Sequence, residues 1–295
     1  MHPPRAADEK GADRNRQHLR AWRQGYGHSD AGAQAVIAFA HKPGLVAYLT
    51  CGDPDLQSSR EIALALIDAG ADVIELGVPF SDPVADGPVI QRASERALRA
   101  EVSLTQVIGV GAEIRKARPK TGLIIFTYIN PVLRLGLDGF AKRLADAGID
   151  GALVTDLIVE EAGEYISLMR SRELATVFLA APTSTDDRLR RIAEASRGFV
   201  YAVSRTGITG EQKQLAGDAA ELVRRVRRFT SLPVAVGFGV SNAEQFQAVG
   251  EFADAAVIGS AIVALVEKDG RNAAKAVEEF VRALRRQQVR ANSIS

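Results

Sequence analysis

The chain is poor in the residues that most often announce a chemistry. Of 295 residues, one is cysteine, Cys51. A single thiol excludes an internal disulfide and suits a reducing compartment. Histidine is nearly as scarce: His2, His18, His28 and His41 all precede the first convincing strand. No apolar run approaches the ~20 residues needed to cross a bilayer. The first thirty residues lack the apolar centre of a signal peptide. A net charge of +1 leaves no basic excess for nucleic acid or a membrane surface. What remains is 46% hydrophobic and 25% charged, the composition expected of a globular cytoplasmic protein with a sizeable core.

Residues 1–30 stand apart. They are rich in Arg, Asp, Gly and Gln, with basic residues at 5, 10, 14, 16, 20 and 23. That composition predicts a flexible N-terminal extension. Residues 31–288 are expected to form the folded body and 289–295 a C-terminal tail. Within the body, short apolar runs alternate with amphipathic segments. "GLVAYLT" (44–50) precedes a helical "REIALALIDAG" (60–70) that ends on glycine, the favoured residue past a helix C-terminus. "ADVIELGV" (71–78) precedes "LTQVIGVGAEIRKA" (104–117), with Ser103 as N-cap. The alternation continues through strands in "GLIIFTYI", "DGALVTD", "ATVFLAA", "GFVYAVS", "LPVAVGFG" and "ADAAVIGS".

Eight strands, each followed by a helix and apolar on both faces, indicate a parallel sheet covered by helices. Strict βα alternation permits a closed barrel or an open doubly wound sheet. Eight units in ~250 residues favour a single (β/α)8 TIM barrel. No GxGxxG follows the first strand, which weakens the dinucleotide-binding alternative. A short helix over "AQAVIAFAHK" (33–42) is expected to cap the barrel floor.

In such barrels the site lies at the C-terminal ends of the strands. Three adjacent strands end in glycine there: "SRTGITG" with Gly207 and Gly210, "GFG" with Gly237 and Gly239, and "GS" with Gly259 and Ser260. Each glycine alone can serve a tight turn; together they can aim backbone N–H groups at one phosphate, aided by a helix starting near Ser260. Glu75 ends the second strand, and its carboxylate should enter the barrel mouth. Partial desolvation there would raise its pKa into the general acid–base range. Asp86, on the proline-stiffened loop beyond, would stay ionised, so the two carboxylates would divide acid and charge between them. Asp156 is a third candidate, or an N-cap for the helix after strand 4. Asp82 follows Ser81 and reads equally as a turn residue. No lysine ends a strand and the body holds no histidine, which disfavours a Schiff-base aldolase and a histidine-held metal. Neither cofactor nor metal is expected.

"ELGVPFSDPVADGPVIQ", "YINP", "SRTGITG", "VAVGFGVS" and "GSAIV", in that order, resemble the alpha-subunit family of tryptophan synthase. The resemblance runs from about residue 33 to 285. It implies a (β/α)8 barrel that splits indole-3-glycerol phosphate into indole and glyceraldehyde 3-phosphate. It implies Glu75 and Asp86 as the catalytic pair, with Tyr128, Thr209 and Leu153 near the substrate. Gly210, Gly239, Gly259 and Ser260 would hold the phosphate. The segment with Arg205 and Thr209 would be a lid. The loop with Pro79, Asp82 and Pro83 would touch a beta subunit in an alpha2-beta2 assembly. Three positions depart from the family pattern: Ile158 where proline is frequent, Thr155 in the wall of the ring pocket, and Cys51 where a small residue is usual. A stand-alone indole-releasing lyase, a catalytically weak regulatory barrel and another phosphate-binding barrel are the competing readings.

Overall fold

The protein is described from a computed structural model that covers residues 37–203, 212–237 and 239–292, all within the compact unit Ala35–Ser295. The elements in chain order are β1 (Gly44–Thr50), α1 (Leu56–Asp68), β2 (Val73–Gly77), α2 (Pro88–Arg99), α3 (Leu104–Ala117), β3 (Gly122–Thr127), α4 (Ile129–Leu135), α5 (Leu137–Asp146), β4 (Gly151–Val154) and α6 (Gly163–Arg170). They continue with β5 (Ala175–Val177), β6 (Leu179–Ala180), α7 (Asp186–Ala195), β7 (Val200–Val203), α8 (Gln212–Val226), β8 (Val234–Gly237), α9 (Ala243–Val249), β9 (Ala255–Ile258), α10 (Ser260–Asp269) and α11 (Ala273–Asn292).

Every strand pairing is parallel, in the order β5-β4-β3-β2-β1-β9-β8-β7-β6. β5 and β6 are two halves of the expected fifth strand, separated only by Phe178. The first half pairs with β4 and the second with β7, and Tyr201 N donates to Phe178 O at 3.1 Å. One chain segment thus bonds to both ends of the sheet, and the ring closes as the expected barrel. Closure removes the exposed edges that an open parallel sheet would leave.

The barrel is filled rather than hollow. Val46, Val73, Ile124, Leu153, Val177, Phe199, Ala235 and Ala255 form its packed interior. Residues 37–43 close the floor without forming a helix. Ile37 enters the interior cluster, and Phe39 meets Phe199 edge-on, ring centroids 6.0 Å apart. The cap helix expected over 33–42 is therefore absent from the part of it that is described, and residues 33–36 lie outside the described residues. At the other end of the chain, α11 continues through Asn292, into the segment read as a tail.

Helix α3 starts where the sequence pattern places it, and Gln106 Oε1 accepts from Ser103 N at 2.9 Å, bracing the first turn. Two helices went unread in the sequence. α2 begins on Pro88, whose missing N–H costs nothing in the first turn of a helix. α4 begins directly after Tyr128. Both lie at the mouth of the barrel and shape the site.

β4 and β5 approach each other so closely at Gly151 that a Cβ there would overlap the Ala175 carbonyl oxygen, a backbone atom that cannot turn aside. Gly151→Ala is expected to lower stability by about 1–3 kcal/mol, the range for overpacking an interior. A urea midpoint unchanged from wild type would show that the strands separate freely at this point.

Candidate active site

Register fixes what faces the barrel axis. Tyr48 on β1, Glu75 on β2 and Ile124 on β3 are paired neighbours, and their side chains share the inner face. Two residues earlier the same positions hold Val46 and Val73 in the packed interior. Glu75 therefore stands one layer above the apolar filling, at the base of a cavity of about 460 Å³ at the C-terminal ends of the strands.

Glu75 is 1% exposed, and neither carboxylate oxygen has a hydrogen-bond partner among the described residues. Burial alone pushes its pKa up to about 8, because an ionised carboxylate loses its hydration with nothing to replace it. Asp86 lies above it on the loop after β2. Burial raises that carboxyl to about 6, opposed by a hydrogen bond from Tyr128 Oη to Oδ2 at 3.0 Å. With these values a proton on Glu75 and a charge on Asp86 are favoured at neutral pH.

Tyr128 reaches the loop three ways. Besides its bond to Asp86, its hydroxyl accepts from Ala85 N at 3.2 Å, and its ring stacks on Phe80 with centroids 4.7 Å apart. It is 2% exposed and braces Asp86 from behind the cavity wall. Leu153, expected at the substrate, is sealed in the packed interior and is not among the residues lining the cavity. β4 presents it one layer too low, and Thr155 two residues on takes the place at the wall.

Gly239, Gly259 and Ser260 line the far side of the same cavity. Gly239 has φ +80°, a conformation that favours glycine. Gly259 is the residue before α10, so the positive end of that helix, beginning at Ser260, faces the cavity. Arg205, Thr209 and Gly210 lie outside the described residues. Pro79, Asp82 and Pro83 sit on the outer side of the loop, away from the cavity lining, and Asp82 takes a turn bond from Ser81 Oγ at 2.7 Å. Asp156 does not cap its own helix, which starts at Gly163; it accepts from Ile129 N at 2.7 Å and so caps α4 across the mouth.

The lining residues that escaped the sequence reading include Tyr201, Phe126 and Ile90. Tyr201 and Phe126 occupy inner-face positions that alternation along β7 and β3 could have indicated. Tyr201 and Tyr48 share a device. Each phenol leans over a glycine on the next strand: a Cβ at Gly77 would overlap the Tyr48 hydroxyl, and one at Gly237 would come within 2.6 Å of the Tyr201 hydroxyl. The two glycines open the space into which the two rings fold.

The elevated Glu75 pKa has a consequence for stability. Between the unfolded value near 4.5 and the folded value near 8, the native state holds a proton that the unfolded state has released. Stability therefore falls as pH rises across that window. Glu75→Gln removes the titration. The variant is expected to melt above wild type, with the gap widening from pH 5 to pH 8, as thermal melts at several pH values will measure. A gap independent of pH would mean that Glu75 is ionised in the native protein.

Comparison with known proteins places this geometry. The family model described as "Tryptophan synthase alpha chain" matches residues 36–292. The tryptophan synthase alpha chain of Solibacter usitatus is 50% identical over 248 residues, covering 83% of this chain and 92% of that protein. That of Cupriavidus metallidurans is 46% identical over 246 residues, covering 83% and 92%. Among solved structures, one of the tryptophan synthase a2b2 complex from Pyrococcus furiosus superposes with a TM-score of 0.76 at 40% identity, covering 82% of this chain and 98% of that one. The chain belongs to the tryptophan synthase alpha chain family.

Proposed function

We propose that this chain catalyses the alpha reaction of tryptophan synthase, the retro-aldol cleavage of indole-3-glycerol phosphate to indole and glyceraldehyde 3-phosphate. Glu75 serves as acid and base, and Asp86 as the charge facing the ring nitrogen. The observation that carries the reading is Glu75 itself: buried, unpartnered, and aimed into a cavity beneath a second carboxylate. A structural carboxylate would be paired or hydrogen-bonded; this one is left free for substrate.

Breaking a carbon–carbon bond needs a sink for the electron pair, and the indole ring supplies it. Protonated Glu75 gives its proton to ring carbon C3, and the positive charge that appears on the ring nitrogen is stabilised by ionised Asp86. Glu75, now a carboxylate, takes the proton of the hydroxyl on the adjacent side-chain carbon. That oxygen becomes the aldehyde carbonyl, the carbon–carbon bond opens, and its electrons return to the ring. The ring leaves as indole with a hydrogen on C3, and Glu75 ends as it began, protonated. Tyr48, Ile90, Phe126, Leu179 and Tyr201 give the cavity an apolar and aromatic wall suited to a flat ring. Gly239, Gly259 and Ser260, at the N-terminus of α10, suit the phosphate. The resemblance adds Gly210 to the phosphate site and assigns Arg205 and Thr209 to a lid and Thr209 also to the substrate.

A beta subunit is the partner we infer, in an alpha2-beta2 assembly. The exposed large apolar side chains among the described residues are Val84, Leu133 and Ile158. They follow β2, β3 and β4, three neighbouring strands, and so share the rim of one end of the barrel. A groove of about 440 Å³ lined by Pro79, Phe80, Asn130 and Pro131 runs beside them. Scattered apolar residues need no explanation, but a group at one edge of the mouth suits a protein partner. A cytoplasmic location agrees with the lone, buried Cys51.

Indole release from indole-3-glycerol phosphate by the purified chain tests the reading. Glu75→Gln is expected to lower turnover roughly 100- to 10,000-fold, the usual contribution of a positioned acid–base group, with the fold intact. Wild-type turnover in that variant would remove Glu75 from the mechanism. The free-enzyme kcat/KM should rise through pH 6 as Asp86 ionises and fall through pH 8 as Glu75 loses its proton. Added beta subunit should speed indole release, and Leu133→Asp with Ile158→Asp should raise the beta-subunit concentration needed while leaving the rate of the isolated chain unchanged. An equal response in wild type and double variant would place the docking surface elsewhere.

A further inference from the structure

An ion cluster outside the cavity joins the two helices that carry its two ends. Arg92 on α2 donates from Nε and Nη2 to the two oxygens of Glu267 on α10, each at 2.7 Å. Arg96, one turn further along α2, donates from Nη1 to Glu267 at 2.9 Å and from Nε and Nη2 to the two oxygens of Asp53, each at 2.8 Å. Asp53 is 3% exposed and belongs to the loop after β1. Five donors thus meet two carboxylates, four of them in two forked pairs and the fifth singly, and the fork is the geometry in which arginine fixes position as well as charge. The two arginines hold Glu267 down at about 2, so this carboxylate stays charged near neutral pH.

Beneath the charges lies an apolar seam. Ala93 of α2 and Val263 of α10 are buried together with Tyr48, and Val89, Ile90 and Phe126 pack against them. The same two helices border the substrate cavity. α2 follows Asp86 and Gly87 directly and contributes Ile90 to the wall; α10 opens with Ser260. From Ser260 to Glu267 is two turns, about 10 Å of helix. A displacement of α10 relative to α2 would therefore change the distance between the phosphate end and Asp86.

We propose that Arg92, Arg96 and Glu267 are positioning residues that lock α2 and α10 into one body. The lock fixes the span between the ring end and the phosphate end, and the site thereby prefers a ligand that carries both groups at that span over either group alone. The inference rests on the substrate assignment above.

Calorimetric dissociation constants test it, for wild type, Glu267→Gln, Arg92→Gln and the double variant. Three probes are used: indole, glycerol 3-phosphate, and a non-cleavable analogue that keeps the ring and phosphate but lacks the side-chain hydroxyls. Each variant is expected to bind the analogue about three- to tenfold more weakly while binding each half within twofold of wild type. The double variant should be no worse than Glu267→Gln alone, because Arg92→Gln removes a pair that Glu267→Gln has already broken. Analogue affinity unchanged in the variants, with wild type binding normally, would overturn the lock and leave the function standing. Parallel weakening of all three probes would also overturn it, since that is the mark of general damage. Failure of wild type to bind the analogue at all would overturn the substrate assignment and the inference with it.

Discussion

The arrangement at the barrel mouth follows from one unfavourable fact, a carboxylate buried without a partner. Glu75 would be far cheaper to keep if a lysine, an arginine or a pair of backbone N–H groups faced it. Any of these would also pull its pKa back down and end its use as an acid near neutral pH. Among the described residues no donor bonds to it. The nearest phenol in register, Tyr48, lies 3.3 Å from Thr50 Oγ1, within hydrogen-bonding distance. What holds Glu75 in place is therefore backbone: a central strand bonded on both sides, with an apolar layer below. A rigid scaffold can carry such a group; a loop would let it turn to water.

Asp86 obeys the opposite logic. It sits on a loop, half-buried, with one oxygen engaged by Tyr128 and backbone bonds fastening the loop around it. That bond favours the charged form and offsets part of the burial that would neutralise it. Two carboxyls in one cavity are thereby kept in different protonation states by different means, one by the lack of a donor and the other by the presence of one. The same loop carries Val84 and the prolines on its outer side. Anything that docks there acts on a segment whose inner side holds Asp86, so partner and chemistry meet through a few residues of chain.

The barrel was legible in the sequence because parallel strands covered on both faces leave continuous apolar runs, and eight of them in one body leave few topologies. The position of Glu75 was legible for a related reason: it ends such an apolar run at the mouth of the barrel. What sequence did not disclose was depth. Leu153 and Thr155 are two residues apart, the second just past the end of β4, and only the packing shows that the first is filling and the second is wall. Nor did it disclose α2 and α4, short helices in what reads as irregular chain between a strand and its main covering helix. Residues 33–42 read as helix, yet the described part from 37 on plugs the floor from irregular backbone. Propensity yields there to the shape that must be filled.

The three departures from the family pattern are absorbed by the same local accounting of polar groups. Cys51 is fully buried and its thiol is pushed well above its ordinary value by burial alone, so it acts as a small apolar residue. Thr155 puts a hydroxyl in the wall beside the ring, which would seem to cost affinity for indole. Its Oγ1, however, donates to the Thr127 carbonyl at 3.2 Å, so the proton is spent on the backbone and the methyl group remains as an apolar contact. Ile158 is 41% exposed on the rim, uncovered by the described residues. The first two changes are accommodated within the fold, one by burial and the other by a backbone hydrogen bond. The third stands with Val84 and Leu133 among the exposed apolar side chains at the rim, the surface proposed for the partner, so under that proposal its effect would fall on association.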